Sequence, residues 1–145
     1  MTKTLPILLL AVAPAATAVE QDHAARMADS QELFRTTVSS VLKEHCVRCH
    51  GGEKTKSGLD LVTREAVLQG GDQGVAIVPG KPGDSLLYLA VSHLEKDLAM
   101  PPKKPRLPEG TIAAIEKWIT LGAAYDQPLL ERTKVEKSPM QVSDE

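Results

Sequence analysis

The sequence of 145 residues has few aromatic side chains. Phe, Trp and Tyr together make up 3% of it, whereas hydrophobic residues of all kinds make up 42%, as expected for a globular protein. Aromatic rings usually supply much of the area that is buried in a small core. Although Leu, Ile and Val are plentiful, the scarcity of rings indicates that a bound group helps to fill the core.

The sequence also lacks an excess of basic charge. Its formal net charge is -2 at pH 7 and its pI is about 6.1. Proteins that bind nucleic acids usually carry a basic patch or have a high pI. The charge therefore argues against a nucleic-acid-binding protein.

Long hydrophobic runs are absent, apart from a short one near the N-terminus. Lys3 precedes an apolar run over residues 5–12, and Ala16-Thr17-Ala18 has the small-x-small form of a cleavage site. As an uncleaved anchor the run would be too short, and too interrupted by proline, to cross a bilayer. We predict a signal peptide over residues 1–18 and a periplasmic or otherwise exported mature chain without a transmembrane segment.

Hydrophobic periodicity predicts an all-α fold of about four helices joined by long loops, with few strand signals. The first helix is expected to begin near Asp29, which is spaced from Glu32 as in a capping box, and to run into Cys46. The other helices are expected over residues 63–69 with Thr63 as the cap, from a cap at Asp84 or Ser85 to about Leu94, and from Pro108 to Gly122. The apolar face of the last one is expected to contain Ile112, Ile115 and Ile119.

These patterns divide the chain after the signal peptide into three parts. Residues 19–29 are polar and uneven and are predicted to be a linker, residues 30–126 the folded domain, and residues 127–145 a flexible tail. Loops as long as those of the domain are usually functional or organised by something else. We expect a cofactor to organise them.

The two cysteines and a histidine form one motif, Cys46-Val47-Arg48-Cys49-His50. C-x-x-C-H is the attachment signature of haem c. Each thiol adds across a vinyl group of the porphyrin, and the two-residue spacing lets both thiols reach adjacent vinyls from one helical turn. The next residue, His50, is then directed at the iron. The motif predicts one covalent haem c, with Cys46 and Cys49 as thioethers and His50 as an axial ligand.

Three other interpretations of the motif have weaker support in the sequence. A dithiol redox site is usually accompanied by a βαβ pattern, which this sequence does not show. A disulfide between Cys46 and Cys49 would close a very small loop and contribute little stability. A zinc site would need two further ligands, and the remaining histidines do not have the spacing of a zinc finger.

Met100 is the predicted ligand on the opposite side of the iron. It lies in a loop pinned by Pro101 and Pro102, and Pro101 favours an extended backbone at Met100. A thioether ligand favours ferrous iron and so raises the reduction potential. The alternatives are His93, which would give two histidine ligands, and an open site in which Met100 only packs.

Other residues are candidates for supporting roles. Pro79 or a neighbouring carbonyl is a possible acceptor for the second ring N–H of His50. Trp118 is a possible donor to a haem propionate, although a packing role fits it better. A basic rim that would attract an acidic partner is possible, with solvated loop side chains as the alternative; its members are Lys103, Lys104 and Arg106.

From about Phe34 to Ala123 the sequence resembles the planctomycete-type cytochrome c domain, which has the class I cytochrome c fold. The resemblance implies haem c on Cys46 and Cys49, axial ligation by His50 and Met100, and a pair of terminal helices packed at a steep angle around the haem. Besides the haem motif, it rests on Ser57-Gly58-Leu59-Asp60-Leu61, Thr63-Arg64-Glu65, Gln69-Gly70-Gly71, Ile77-Val78-Pro79-Gly80-Lys81-Pro82, Asp84-Ser85-Leu86-Leu87, Met100-Pro101-Pro102, Trp118-Ile119 and Gly122-Ala123.

The expected function is that of an exported monohaem cytochrome c that carries single electrons between redox partners. Those partners would be redox proteins or a membrane-bound oxidoreductase. We do not expect an enzyme, because the sequence shows no nucleophile–base pair, no motif of paired carboxylates and no phosphate-binding loop. The alternatives are a haem c redox subunit of a larger dehydrogenase or oxidase complex, and an open-site haem protein that acts on peroxide or senses a small gas.

Overall fold

A computed structural model describes residues 16–131 of the chain. Most of the predicted signal peptide and the tail beyond residue 131 lie outside the described residues. Helices account for 58% of the described part, so the predicted helical character is confirmed. The elements are α1 (Ala16–Leu33), a π-helical turn (Phe34–Val38), α2 (Ser39–His45), α3 (Val47–His50), β1 (Lys54–Thr55), α4 (Arg64–Gln69), α5 (Leu86–Val91) and α6 (Glu109–Thr120), with short 3-10 turns at Lys56–Gly58, Pro82–Asp84 and Lys96–Leu98.

The first helix is longer than the sequence predicts. It is already helical at Ala16, so the predicted start near Asp29 is wrong, and residues 19–29, predicted to be a linker, lie within α1. The segment is rich in alanine and other good helix formers. Because residues 18–26 are exposed on every side, they carry no hydrophobic periodicity that would reveal the helix.

From α1 to α3 the chain follows an almost continuous helical path that changes geometry twice. The first change is the π-helical turn, and the second is a bend at Cys46, whose φ of -120° and ψ of -46° separate α2 from α3. Three residues at helical spacing along this path are fully buried, since Phe34, Val38 and Leu42 are each 0% exposed, whereas Val41 and His45 are half-buried. This path carries the cysteine motif to the edge of the core.

The shorter helices confirm one predicted cap and contradict another. Thr63 caps α4, since its side-chain oxygen accepts a hydrogen bond of 3.2 Å from the Ala66 N–H. Ser85 precedes α5 but does not cap it. Its hydroxyl instead accepts from the Val78 N–H at 2.9 Å and donates to the Lys81 carbonyl at 2.8 Å, which closes the preceding turn.

The last helix packs against the first helical segment. Ile112, Ile115, Trp118 and Ile119 are buried along one face of α6, as the periodicity predicts. Ser30 of α1 joins the two segments, because its hydroxyl donates to the Trp118 carbonyl at 3.2 Å and accepts from the Ala124 N–H at 3.0 Å. None of the described helices combines the length and the apolar character needed to cross a bilayer.

The beginning of the predicted tail is packed onto the domain. Leu129 is 4% exposed, and its backbone N–H donates to the Val62 carbonyl at 2.8 Å. The prediction of a flexible tail is therefore wrong for this stretch. A single buried leucine in a polar segment gives no periodic signal, which is why the sequence did not reveal the contact.

Candidate cofactor site

A cavity of about 530 Å³ lies where the predicted site residues meet. Cys46, Cys49, His50 and Met100 all line it. Its volume falls in the range of small-molecule and cofactor pockets. The fold thus brings the cysteine motif together with Met100, which lies 50 residues after His50 in the sequence.

The cysteine motif occupies a single helical turn. The backbone N–H groups of Cys49 and His50 both donate to the Cys46 carbonyl, at 3.1 and 2.9 Å. The turn therefore places Cys46, Cys49 and His50 along the same cavity. Both cysteines are free thiols, so the disulfide reading of the motif is not realised in this structure.

The electrostatics of the motif disfavour a dithiol redox site. Burial, with the neighbouring Cys49 as a second cause, raises the pKa of the Cys46 thiol from 9.0 to about 11. Reactive dithiols of the C-x-x-C type have the opposite property, a lowered pKa that yields a thiolate near neutral pH. No cluster of three or more His, Cys, Asp or Glu residues suited to a metal ion occurs among residues 16–131.

The backbone of His50 is hydrogen-bonded, whereas its ring has no hydrogen-bond partner at Nδ1 among the described residues. Its carbonyl accepts from the Leu61 N–H at 2.7 Å. Its Nδ1 is buried and has no hydrogen-bond partner among the described residues. An unpaired buried nitrogen costs about 1–3 kcal/mol. A ring retained in this state is consistent with a histidine that serves as a ligand, which is the first test of whether the site fits a haem.

The hydrogen bond predicted from His50 to Pro79 is not formed. The turn that contains Pro79 is attached to α6 instead, because the neighbouring Gly80 N–H donates to the Ile119 carbonyl at 2.7 Å. Pro79 lines a second cavity of about 570 Å³, which also contacts Met27 and Arg64. None of the motif residues lines that cavity, so it is not the predicted cofactor site.

Met100 is fixed by both of its backbone groups. Its N–H donates to the Ala90 carbonyl at 3.1 Å, and its carbonyl lies 3.1 Å from Nε2 of His93. Met100 lines the cavity, whereas the rival ligand His93 does not. His45, which precedes the motif, also lines the cavity and lies 3.8 Å from the Glu44 carboxylate.

The rest of the cavity wall is mainly aliphatic. A flat apolar macrocycle needs such a wall, and this is the second test of fit. Its apolar members come from the loop before α4, the loop between α4 and α5, α5 itself, and the segment between α5 and α6; they are Leu59, Leu61, Ala76, Leu86, Leu87, Ala90, Val91, Leu98 and Leu107. Sequence reasoning did not find these residues as site residues, because each has the ordinary character of a core position.

A pair of glycines shapes one side of the wall. Gly70 has a φ of 77°, and a Cβ at this position would collide with the Gly74 carbonyl. A Cβ on Gly71 would lie 2.5 Å from the Ser57 carbonyl. The glycines let the loop after α4 close on the loop at Ser57, where the Asp72 N–H donates to the Ser57 carbonyl at 2.8 Å. The Gly70-Gly71 sequence was the available signal for this close approach.

The predicted propionate donor has another partner. Trp118 is 0% exposed, does not line the cavity, and donates its indole N–H to the Ala124 carbonyl at 2.9 Å. It packs with Phe34 and Tyr125, with ring centroids 5.8 and 5.5 Å away. The structure therefore supports the packing role of Trp118 over the propionate contact.

Of the predicted basic rim, Lys103 and Lys104 are exposed and do not line the cavity. Arg106 is engaged by its own neighbours. Its Nε donates to the Ser92 carbonyl at 2.9 Å, and its guanidinium forms an ion pair of 2.6 Å with Glu109. Arg106 therefore braces the start of α6, and only the two lysines have the character of solvated loop residues.

Residues 46–104 match the family model described as Planctomycete cytochrome C. The match begins at the first cysteine of the motif and includes Met100, and it confirms the resemblance over this range. No curated protein and no solved structure matches the chain.

Proposed function

We propose that the chain is a cytochrome c similar to the planctomycete-type family whose model residues 46–104 match, that it carries one haem c, and that it transfers single electrons between redox partners. The observation that carries the proposal is the shared cavity of Cys46, Cys49, His50 and Met100. The two thiols would attach the macrocycle as thioethers, and the imidazole and the thioether would be the axial ligands. The bound haem supplies a reversible ferric–ferrous couple.

The residues of the chain favour electron transfer over catalysis. Two axial side chains would leave no open position on the iron for a substrate. The aliphatic wall excludes water and lowers the local dielectric, and a methionine ligand favours the ferrous state; both raise the reduction potential. We therefore propose an electron carrier and not an enzyme.

The number of haems and the location of the protein are proposed from the sequence. Both cysteines of the chain are used by the single C-x-x-C-H motif, which supports one haem. The signal-peptide pattern supports export, which agrees with attachment of haem c outside the cytoplasm. The partners would be redox proteins or a membrane-bound oxidoreductase in the same compartment.

The proposal is tested by the optical spectrum of protein matured with a haem c assembly system. We expect haem that stays with the polypeptide after acid-acetone extraction and gives a c-type pyridine haemochrome. We also expect the weak red-edge ferric band that marks a sulfur–iron bond. Haem that is extracted completely would refute the proposal and return Cys46 and Cys49 to thiol chemistry.

A methionine substitution tests the distal ligand. Met100→Ala should retain covalent haem, lose the red-edge band and admit external ligands such as imidazole. Its potential should fall by on the order of 0.1 V, a fraction of the ~0.8 V over which axial ligands tune haem. Met27→Ala is the matched control, because Met27 lines the other cavity and contacts the Gly122 region.

The outcome separates the proposed carrier from the open-site alternative. If Met100→Ala leaves the band and the potential unchanged, the distal assignment is wrong. If the wild type lacks the band and binds imidazole or peroxide freely, the protein is an open-site haem protein. Stable co-purification with a dehydrogenase or oxidase would identify a subunit of a complex with the same haem chemistry.

A further inference from the structure

We propose that His93 is a positioning residue that holds Met100 in place and does not itself bind the iron. The inference rests on the proposed function, because it assigns Met100 as the distal ligand. It concerns a residue that sequence reasoning treated only as a competitor of Met100. The contact that carries it joins Nε2 of His93 to the Met100 carbonyl at 3.1 Å.

The direction of this hydrogen bond defines the state of the ring. A carbonyl oxygen can only accept, so Nε2 of His93 carries the hydrogen. That nitrogen then has no lone pair to offer to a metal. In addition, His93 does not line the cavity that contains Met100. The His93 ring therefore supports the loop of Met100 from outside the cavity.

Met100 depends on such support because of the two residues that follow it. Pro101 and Pro102 have no N–H groups, so this part of the loop cannot be fastened by backbone donors of its own. The loop is fastened through Met100 instead, by its N–H to the Ala90 carbonyl at 3.1 Å and by its carbonyl to His93. Both anchors lie within one turn at the end of α5.

The backbone of His93 supports the same conclusion. Its φ of 59° is in the left-handed region, where a residue with a side chain is strained and glycine is not. Glycine would relieve this strain. If His93 only closed the turn after α5, its replacement by glycine should leave the haem site unchanged. If His93 holds Met100, the same replacement should weaken the hold on Met100.

The turn has a second brace that makes a useful control. Arg106 donates from Nε to the Ser92 carbonyl at 2.9 Å, one residue before His93, so this hydrogen bond holds the turn and not Met100 itself. Arg106→Gln therefore loosens the same turn without removing the hydrogen bond to Met100. A comparison of the two sites separates general loosening from loss of this specific contact.

The test uses the haem-loaded protein and imidazole as the external ligand. His93→Gly should bind imidazole about tenfold more tightly than the wild type, because removal of one hydrogen bond weakens the hold on Met100 by this factor. Its red-edge band and potential should also fall, while covalent haem and helix content measured by circular dichroism stay the same. His93→Gln, which keeps a donor of similar reach, should remain within about twofold of the wild type.

The results distinguish failure of this inference from failure of the proposed function. The inference is overturned if His93→Gly binds imidazole as the wild type does, or if Arg106→Gln increases binding equally. If His93→Gly does not fold, His93→Leu replaces it as the variant without a donor and is compared with His93→Gln, which keeps one. Both have a side chain at this position, so their backbone strain is equal. A wild type with covalent haem but no red-edge band would instead refute Met100 ligation, whatever the His93 variants do.

Discussion

Substitution of Ser30 by alanine should destabilise the haem-loaded protein although it removes only one oxygen atom. Ser30 is 0% exposed and joins α1 to the end of α6. Its hydroxyl donates to the Trp118 carbonyl and accepts from the Ala124 N–H, at residues 88 and 94 positions away. The substitution therefore breaks two contacts between distant parts of the chain.

The expected loss of stability depends on the hydrogen bonds that the Trp118 carbonyl and the Ala124 N–H retain without the Ser30 hydroxyl. The Trp118 carbonyl keeps a second hydrogen bond, from the Ala123 N–H at 2.9 Å. The Ala124 N–H belongs to a residue that is 3% exposed and loses the acceptor it has in Ser30. A buried donor left without a partner costs about 1–3 kcal/mol, so Ser30→Ala should lower the free energy of unfolding by this amount.

Urea unfolding followed by circular dichroism measures the loss. With an m-value of about 2 kcal/mol/M, the midpoint should fall by roughly 1 M while m stays the same. Ser40→Ala is the matched control, because Ser40 is exposed on the adjoining α2 and its loss should cost less than about 0.5 kcal/mol. Equal midpoints for the two variants would show that the Ser30 contacts do not stabilise the fold.

Two further predictions concern the end of the domain. Leu129→Ala should cost about 2–5 kcal/mol, whereas Leu130→Ala, at a position 40% exposed, should have little effect on the same urea midpoint; equal effects would contradict the packing of Leu129. Burial raises the pKa of the Tyr125 phenol above its ordinary value of 10.0, so an unfolded chain ionises there before the folded one does. Stability should therefore be complete below about pH 10 and fall above it. The fall should be smaller in Tyr125→Phe, and equal pH profiles would refute the assignment.

The sequence predicts the chemistry of the site better than its surroundings. The spacing of Cys46, Cys49 and His50 is dictated by two vinyl groups and one metal, so it is visible without any tertiary information. Met100 is recognisable because adjacent prolines set it apart from an ordinary core methionine. The aliphatic wall is assembled from four separate segments, and local sequence patterns do not indicate which core residues will face the same cavity.

The errors have physical causes of the same kind. The first half of α1 is helical by composition and exposed all round, so the periodicity that reveals α6 is missing there. Ser85 has the residue type of a cap but forms tertiary hydrogen bonds to Val78 and Lys81 instead. The indole of Trp118 is likewise satisfied by a carbonyl six residues later, which no spacing rule specifies.

The two proposed axial ligands are supported by different parts of the fold. On the side of His50, the Tyr125 hydroxyl donates to the Leu61 carbonyl at 3.3 Å, and the Leu61 N–H donates to the His50 carbonyl, which connects the histidine to the aromatic core. On the side of Met100, the support comes from Ala90 and His93 at the end of α5. Loss of the Ser30 contacts should therefore reduce stability while the red-edge band persists at low denaturant. Loss of the His93 ring should weaken the band while stability persists, because its hydrogen bond serves the loop and not the packing of the terminal helices.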